Sequence, residues 1–442
     1  MESFDHVSRR EFLAAASVAA AGGLAAGDVQ AAPEATPQLA LNGGPKAVQA
    51  RLPARVRWGD PERERLNAVL DQGSLFYWQG PQTKLFIERF RKTCPLRHVM
   101  TCSSGTAALH IAVAAAGIAP GDEVITTPIT DIGTVIGVIY QQAVPVFADL
   151  VPNTYNLDPT DVERKITPKT KAIIAVHLAG NPCRMETLKA IADKHNLVLI
   201  EDCAQAWGAK YRDQLVGTMG HIACFSLQNT KQITCGDGGV VASNDQRFGP
   251  LLQLYGDKGA DRVHGNGLFE RFSTNYRMTE LQAAVAAAQL DRLEGIAATR
   301  AQIGDLLGEK IVGAPGIEPH GIAAEDRSTY WFYMFRLRPK SFTCERAEFV
   351  KALVAEGVPA SAGYIPVPLY GCPVFQKHGF FAGRWPIREL GLTSMDYSNV
   401  ACPEAEAILK TGVRMVLHEQ MTEEYVANVG EAIQKVAKYY AT

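Results

Sequence analysis

Short apolar runs and longer amphipathic segments alternate along the chain between Val99 and Asn244. The runs DEVITTPI, PVFADL, AIIAVHLAG and LVLIED are rich in β-branched residues and nearly continuous in apolar ones. Such runs are typical of strands whose two faces are both covered, as in a parallel sheet. The segments ALHIAVAAAGI, IGTVIGVIYQQA and METLKAIADKHN favour helices. The alternation therefore predicts an α/β fold in which helices cover both faces of a mostly parallel sheet.

The pattern changes in the C-terminal part of the chain. From Met278 to about Ile311 the sequence predicts one long helix or two joined helices. Beyond it, STYWFYMFRL favours a strand, RAEFVKALVAEG a helix, and MTEEYVANVGEAIQKVAKYY a final amphipathic helix. We therefore predict a large domain with an N-terminal arm over residues 32–300 and a smaller C-terminal α/β domain over residues 301–442.

The first 31 residues have the composition of an export signal. Arg9 and Arg10 are followed by Phe12 and Leu13, and then by an Ala/Gly-rich apolar stretch. This stretch is shorter than the roughly 20 apolar residues that span a membrane. The arginine pair resembles a twin-arginine signal, which an export receptor reads. We predict that residues 1–31 are cleaved, that the protein is periplasmic, and that the twin-arginine export machinery is a partner. The alternative is a disordered or anchoring tail, and the protein is cytoplasmic if the signal is not used.

Charge and cysteine content narrow the possible functions. The chain has 442 residues and a net charge of -2, so it lacks the basic excess of nucleic-acid-binding proteins, and we expect no nucleic-acid partner. The nine cysteines include no C-x-x-C pair and no spacing typical of a metal site. We expect most of them to be buried thiols and we expect no metal.

One lysine, Lys231, stands in a setting that is unusual for a surface charge. It lies in CFSLQNTKQITCGDGGVV, between a predicted buried strand that carries Ser226 and a glycine-rich turn. Ligands of open α/β sheets bind at the carboxyl ends of the strands. In LIEDCAQA, Asp202 comes just past another predicted strand, and Gln205 follows three residues later. We therefore expect these side chains to meet in one cleft.

An anion site, a carboxylate and a lysine in one cleft suit pyridoxal 5'-phosphate. Ser104, Gly105 and Thr106, in SSGTAAL, are predicted to begin a helix, where free N–H groups and the helix dipole bind anions. The pyridine nitrogen needs a carboxylate, which Asp202 offers. The aldehyde needs a lysine amine, which Lys231 offers.

The chain from about Leu39 to the C-terminus resembles the sugar and cyclitol aminotransferases of the DegT/DnrJ/EryC1/StrS family. The resemblance rests on the motifs GGPKAV, SSGTAALHIA, GDEVITTP, PVFADL, IEDCAQAWGA, CFSLQNTKQITCGDGG, NYRMTELQAA and CPEAEAI. The family has the aspartate aminotransferase fold, fold type I of the pyridoxal-phosphate enzymes. The FSLQ..K form is most similar to the branch that contains aminocyclitol aminotransferases and aminohydroxybenzoate synthases.

The resemblance implies roles for individual residues. Lys231 would form the Schiff base, Asp202 would pair with the pyridinium, and Gln205 would lie at the ring hydroxyl. The residues implied to bind the phosphate are Gly105, Thr106 and Ser226. Asn275, in NYR, would reach the phosphate of the neighbouring subunit, because active sites of this family are shared across a homodimer.

The sequence departs from the family at Asp131, in TTPITDIGTVIG. The family usually places an aromatic residue over the cofactor ring at this position, and a carboxylate does not stack as an aromatic ring does. We expect Asp131 to lie within reach of the cofactor or the substrate. Either another residue covers the ring, or the site is refitted to a different substrate, or catalysis is impaired. The retained lysine argues against the related deoxysugar dehydratases, in which a histidine replaces it.

We predict a pyridoxal-phosphate-dependent aminotransferase that moves an amino group from glutamate or glutamine to a keto-sugar or keto-cyclitol. Lys231 would act as base and then as acid, while Asp202 keeps the ring protonated. The alternatives are another pyridoxal-phosphate reaction on a sugar and a non-catalytic binding protein with the same fold. If the protein is exported, free oxidised sugars or cyclitols, or a surface glycan precursor, are expected as acceptors rather than nucleotide-linked sugars.

Overall fold

The computed structural model describes residues 38–265, 268, 269 and 271–442. The predicted export signal over residues 1–31 lies outside the described residues. Within the described part of the chain, the helices are all too short or too polar to span a membrane.

The larger of the two main sheets is mostly parallel, as the alternating pattern predicted. The strands as far as residue 243 are β1 His98–Cys102, β2 Glu123–Thr126, β3 Val144–Phe147, β4 Thr170–Val176, β5 Val198–Asp202, β6 Lys210–Tyr211, β7 Gln214–Leu215, β8 Ile222–Ser226 and β9 Gly239–Ser243. The sheet has seven strands in the order β1-β9-β8-β5-β4-β2-β3, and β6 and β7 form a separate hairpin. Strands β8, β5, β4, β2 and β3 pair in parallel, whereas β9 is antiparallel to both of its neighbours.

The second sheet is antiparallel and lies in the C-terminal part of the chain. Its strands are β10 Ile317–Glu318, β11 Phe332–Leu337, β12 Ala360–Ala362 and β13 Gly412–Val416, in the order β10-β11-β13-β12. The predicted strand STYWFYMFRL is therefore present as β11. Together, the two sheets confirm the predicted α/β fold class.

Helices precede, separate and follow these strands. They are α1 Asp60–Leu70, α2 Pro81–Thr93, α3 Gly105–Ala115, α4 Gly133–Tyr140, α5 Pro159–Arg164, α6 Met185–Lys194, α7 Leu251–Gly256, α8 Glu280–Leu290, α9 Leu293–Ile311, α10 Arg346–Ala355, α11 Pro373–Gln376, α12 Pro386–Glu389, α13 Pro403–Thr411 and α14 Glu423–Tyr440. The segment predicted as one long helix or two joined ones is two, α8 and α9. The domain boundary predicted at residue 300 falls inside α9, and the division into two domains stays a prediction.

The parallel strands bring three chemically important segments to one edge of the large sheet. Strands β5 and β8 pair in parallel, so the residues that follow Asp202 and Ser226 lie side by side. Every residue of β8 and β9 is buried, because both faces of the sheet are covered. Helix α3 begins against the same edge, and a Cβ atom on Gly105 would lie 2.7 Å from the Cβ atom of Ser226. Glycine at this position therefore allows the start of the helix to approach the strand closely.

Candidate active site

Lys231 lies in the turn that follows β8, and its side chain points into the protein. The residue is 8% exposed, and its Nζ atom lies 3.8 Å from the centroid of the Trp331 ring. Burial lowers the pKa of the Lys231 amine to about 8, although the charges of Asp202 and Asp131 favour its protonated form. The uncharged fraction of the amine near neutral pH is therefore far larger than for an ordinary lysine, and the uncharged form is the one that a nucleophile or proton acceptor requires.

Asp202 ends β5 and is held by hydrogen bonds on both carboxylate oxygens. Oδ1 accepts from the backbone N–H of Ala204 at 3.1 Å, and Oδ2 accepts from the Thr134 hydroxyl at 2.8 Å. The Thr134 hydroxyl also lies 2.8 Å from the hydroxyl of Thr130. Burial raises the pKa of Asp202, and the two hydrogen bonds and the Lys231 charge act in the opposite direction. The sequence analysis missed Thr134; its position in the first turn of α4, in TTPITDIGTVIG, was the available clue.

The adjacent acid, Glu201, stabilises the fold and does not line the cavity. Successive side chains of a strand point to opposite faces, so Glu201 faces away from Asp202. Its carboxylate accepts from backbone N–H groups of the loop after β7, including those of Gly217 and Met219, and from the ring of His177. These partners belong to the fold, so Asp202, and not Glu201, is the one of the two adjacent acids that faces the cavity.

The start of α3 supplies donors for an anion. The Ser104 hydroxyl accepts from the N–H of Ala107 at 3.0 Å and caps the helix. Within the described part of the chain, the N–H groups of Gly105 and Thr106 donate to no other group. The Ser226 side chain lies against Gly105. These groups are arranged as the SSGT motif predicts for an anion cradle, and binding of an anion there stays a prediction.

Gln205 is buried beside Asp202 and is already engaged at both ends of its amide. Its Oε1 atom accepts from the N–H of Ala179 at 2.9 Å, and its Nε2 atom donates to the Tyr364 hydroxyl at 3.3 Å. The residue lines the same cavity as Lys231. A bond from Gln205 to the cofactor hydroxyl remains a prediction.

Asp131 lies at the rim of the cavity, in an exposed position. Its Oδ1 atom accepts from the N–H of Gly133 at 2.8 Å, at the start of α4. Its charge opposes the lowering of the Lys231 pKa by burial, and it adds to burial, the larger cause, in raising the pKa of Tyr364. The residue thus lines the cavity, and among the described residues its hydrogen bond is to its own loop; its contact with cofactor or substrate stays a prediction.

An aromatic residue that the sequence analysis did not assign to the site lies over the lysine. Trp331, just before β11, lines the cavity, and its indole N–H donates to the carbonyl of Thr230 at 2.9 Å. The ring is therefore tied to the same turn that carries Lys231. It was missed because STYWFYMFRL indicates only a strand, and the pattern does not say which residue will meet a turn 101 residues earlier.

Eight of the nine predicted site residues share one cavity of about 340 Å³. Those eight are Ser104, Gly105, Thr106, Asp131, Asp202, Gln205, Ser226 and Lys231. Asn275 lies outside it: the residue is exposed, and its side chain accepts from the N–H of Arg277 at 3.3 Å. Its predicted contact with a neighbouring subunit stays a prediction. A larger groove between α2, β1 and α7 holds none of the nine.

The residues of the cavity fit pyridoxal 5'-phosphate. The cradle at Gly105 is a space that a Cβ atom would fill, and its free N–H groups suit a phosphate. A buried carboxylate and a lysine amine with a lowered pKa face the same cavity. This combination of donor, acid and amine is what the cofactor requires.

Comparison with known proteins agrees with the geometry. The family model of the DegT/DnrJ/EryC1/StrS aminotransferase family matches residues 58–434. GDP-perosamine synthase of Caulobacter vibrioides is 38% identical over 284 residues, which cover 64% of this chain and 76% of that protein. A protein of Streptoalloteichus tenebrarius, provisionally named an L-glutamine:3-amino-2,3-dideoxy-scyllo-inosose aminotransferase, is 33% identical and covers 91% of this chain and 98% of its own.

A solved structure extends the likeness to three dimensions. The crystal structure of 3-amino-5-hydroxybenzoic acid synthase superposes with a TM-score of 0.77 at 29% identity. The match covers 87% of this chain and 98% of that one.

Proposed function

Because the chain belongs to the DegT/DnrJ/EryC1/StrS aminotransferase family, whose members depend on pyridoxal phosphate, we propose that it moves an amino group from glutamate or glutamine to a keto-sugar or keto-cyclitol. The observation that carries this proposal is the single cavity in which the Lys231 amine, the Asp202 carboxylate and the start of α3 meet. The names of the relatives support the substrate class, since one makes a perosamine nucleotide and another is named for an aminocyclitol.

Different residues of the cavity would bind the cofactor and transfer protons. The N–H groups of Gly105 and Thr106 and the hydroxyl of Ser226 would hold the phosphate. Asp202 would keep a proton on the pyridine nitrogen. The bound cofactor supplies an electron sink for the charge that develops at the donor's α-carbon.

Lys231 would accept the α-proton of the donor at Nζ and later return a proton, as a general base and then a general acid. Its lowered pKa places this exchange close to physiological pH. The Trp331 ring beside Nζ would exclude water from the amine during the transfer.

The donor half of the reaction tests the proposal directly. Purified protein loaded with pyridoxal phosphate is mixed with glutamate, glutamine or alanine without an acceptor. We expect glutamate or glutamine to convert the absorbance of the lysine-linked cofactor to that of the aminated form, with one equivalent of keto acid released. A panel of keto-sugars and keto-cyclitols should then restore the original spectrum. No conversion with any donor would contradict the proposal.

We also propose that the working form is a homodimer with shared active sites. Phe269 and Phe272 are exposed, Phe272 to 99%, on the segment just before Asn275. Exposed aromatic side chains of this kind suit a protein–protein contact. We expect a mass of two chains by light scattering, and Phe272→Asp should yield monomers. A wild-type monomer that carries out the reaction would contradict this part.

Export by the twin-arginine route is proposed on the first residues alone. Arg9 and Arg10 and the apolar stretch after them support it. Fractionation of cells that carry the native gene tests it: we expect a shortened protein outside the inner membrane, and a lysine pair at these positions should retain the full-length chain inside. Full-length protein found only in the cytoplasm would contradict export and would favour nucleotide-linked sugars as acceptors.

A further inference from the structure

Two arginines of the arm, which we define as residues 38–59, bind the backbone of the segment that carries Lys231. The Nη2 atom of Arg57 donates to the carbonyl of Lys231 at 2.5 Å and to that of Gln232 at 3.1 Å, and Nη1 donates to the carbonyl of Asn229. Arg55 reaches the Lys231 carbonyl as well, at 3.3 Å. The lysine segment is a turn beyond the end of β8, so these carbonyls have no neighbouring strand to bind.

The same arm is linked to the segment just before β11, which carries Trp331. Arg55 and Arg300 share the carboxylate of Glu419, at 3.2 Å and 3.0 Å. Arg300 is fully buried and donates to the carbonyl of Tyr330 at 2.9 Å, one residue before Trp331. The arm therefore contacts the lysine turn directly and is connected, through Glu419 and Arg300, to the residue before Trp331.

The hydrogen bonds of the Arg57 guanidinium to described residues all go to those three carbonyls. Within the described residues its guanidinium forms no ion pair with a carboxylate. Burial and the nearby Arg55 lower its pKa to about 10, so it is still charged at neutral pH. Its own carbonyl accepts from Gln289 at 2.9 Å and from Arg292 at 3.1 Å, which anchors the arm to α8 and to the residue before α9.

We propose that Arg57 is a positioning residue for Lys231: by binding three carbonyls of the lysine turn, it sets the place from which the amine reaches the cofactor. This inference rests on the proposed role of Lys231. The planar guanidinium presents several donors in a fixed fork, whereas a lysine ammonium is a single point on a flexible stem. A lysine at position 57 is therefore expected to preserve the charge without preserving the three contacts.

The test measures covalent attachment per bound cofactor, not turnover. Wild type, Arg57→Ala, Arg57→Lys and the control Arg51→Ala, which alters an exposed arginine of the same arm, are loaded with pyridoxal phosphate and treated briefly with borohydride. Peptide mass spectrometry then gives the fraction of bound cofactor fixed on Lys231. We expect the ratio of attached to unattached bound cofactor to fall roughly 3- to 10-fold in Arg57→Ala, the effect of about one lost hydrogen bond at the lysine. Arg57→Lys should recover less than half of the attachment that Arg57→Ala loses, and attachment in Arg51→Ala should equal that of wild type.

The outcomes separate this inference from the proposed function. If wild type is not labelled at Lys231, the assignment of the lysine is wrong. If wild type is labelled and both Arg57 variants are labelled to the same fraction, only the positioning role is wrong. A merely structural role for Arg57 would lower the melting temperature and the amount of bound cofactor but not the labelled fraction. If Arg57→Ala does not fold, Arg57→Lys decides by the same measurement.

Discussion

Two aspartates face the same cavity and differ in how they are held. Asp202 is 2% exposed and has a fixed donor on each carboxylate oxygen, from Ala204 and Thr134. Asp131 is exposed, and within the described part of the chain its carboxylate accepts from the N–H of Gly133 alone, in its own turn. The first carboxylate belongs to an inner wall built by the ends of buried strands, and the second belongs to a rim built by a loop.

The difference indicates a division between cofactor and substrate. A buried carboxylate held on both sides cannot move without leaving its donors unpaired, which is costly in a dry site. Such a group suits a partner that never changes, the cofactor. A rim carboxylate with one local bond can change its partner at little cost, and loops tolerate substitution better than strands. It therefore suits the part of the reaction in which relatives differ, the acceptor.

The largest effect is expected at Lys231, where the inner wall supplies its reactive group. Lys231→Ala should lower turnover by at least about 10³-fold, because both the covalent attachment and the proton transfer lose their group. The absorbance of the lysine-linked cofactor should disappear while the circular dichroism spectrum stays that of wild type. Lys171→Ala, at an exposed position on β4, is the matched control. Full activity in purified Lys231→Ala would show that a different amine attaches the cofactor and transfers the proton.

Asp202→Asn should slow turnover on the order of 10²-fold, because the pyridine nitrogen loses the charge that keeps it protonated. The asparagine keeps the shape of the side chain, so the cofactor should still attach to Lys231. Stopped-flow measurement of the donor half-reaction gives the rate. Asp213→Asn, at an exposed position, controls for loss of an acidic group, and an unchanged rate would rule out the carboxylate–pyridinium pair.

The same variant has a pH signature whose direction is set by the charge of Asp202. That charge favours the ammonium form of Lys231, whose pKa is about 8 in the wild-type protein. Removing it lowers the pKa, so the free amine appears at a lower pH. In the protein without cofactor, the rate at which a small aldehyde labels Lys231 should rise with pH through about 8 in wild type, and at lower pH in Asp202→Asn. An identical midpoint would place the two groups too far apart to interact.

Trp331 belongs to neither region, since it covers the lysine of the inner wall but comes from the segment just before β11 of the second sheet. Trp331→Ala should weaken cofactor affinity roughly 3- to 10-fold, the value of one aromatic contact beyond its buried area. Trp331→Phe keeps a ring but loses the bond to the Thr230 carbonyl, so an intermediate value is expected. Titration followed by absorbance measures both, with the exposed Tyr140→Ala as control. Equal affinity in all variants would mean that the ring covers only the free lysine.

The inner wall was predictable from the sequence, because each of its residues is placed by its own local pattern. Asp202 and Ser226 end buried apolar runs, and parallel pairing of β5 and β8 brings strand ends together. The serine and glycine of SSGT mark a helix start wherever they occur before an apolar run. Lys231 was predictable because it lies in the turn that follows the buried run of β8.

The other residues at or near the site could not be predicted from local sequence patterns. Trp331 meets the turn of Lys231 across 101 residues of sequence, and Arg57 meets the Lys231 carbonyl across 174. Contacts of this kind depend on how the second sheet and the arm pack, and no period or motif encodes them. Thr134 was hidden for another reason: a threonine in the first turn of a helix has an ordinary structural explanation. Asn275 was named only through the family resemblance, and its role stays a prediction because it requires a second chain.

The smallest and most selective effect is expected at the rim. Asp131→Asn should leave cofactor affinity and the donor half-reaction within about twofold of wild type, because its carboxylate makes no bond to the inner wall. The kcat/KM for the keto-sugar or keto-cyclitol acceptor should fall roughly 10-fold, the value of a hydrogen bond to a charged group. Separate kinetic titrations of the donor and acceptor half-reactions measure the two effects. Asp213→Asn serves as the control. If Asp131→Ala also leaves acceptor kinetics unchanged, the residue has no role at the site. If cofactor affinity falls more than acceptor turnover, Asp131 belongs with Asp202, and the division between a fixed wall and an adjustable rim is wrong.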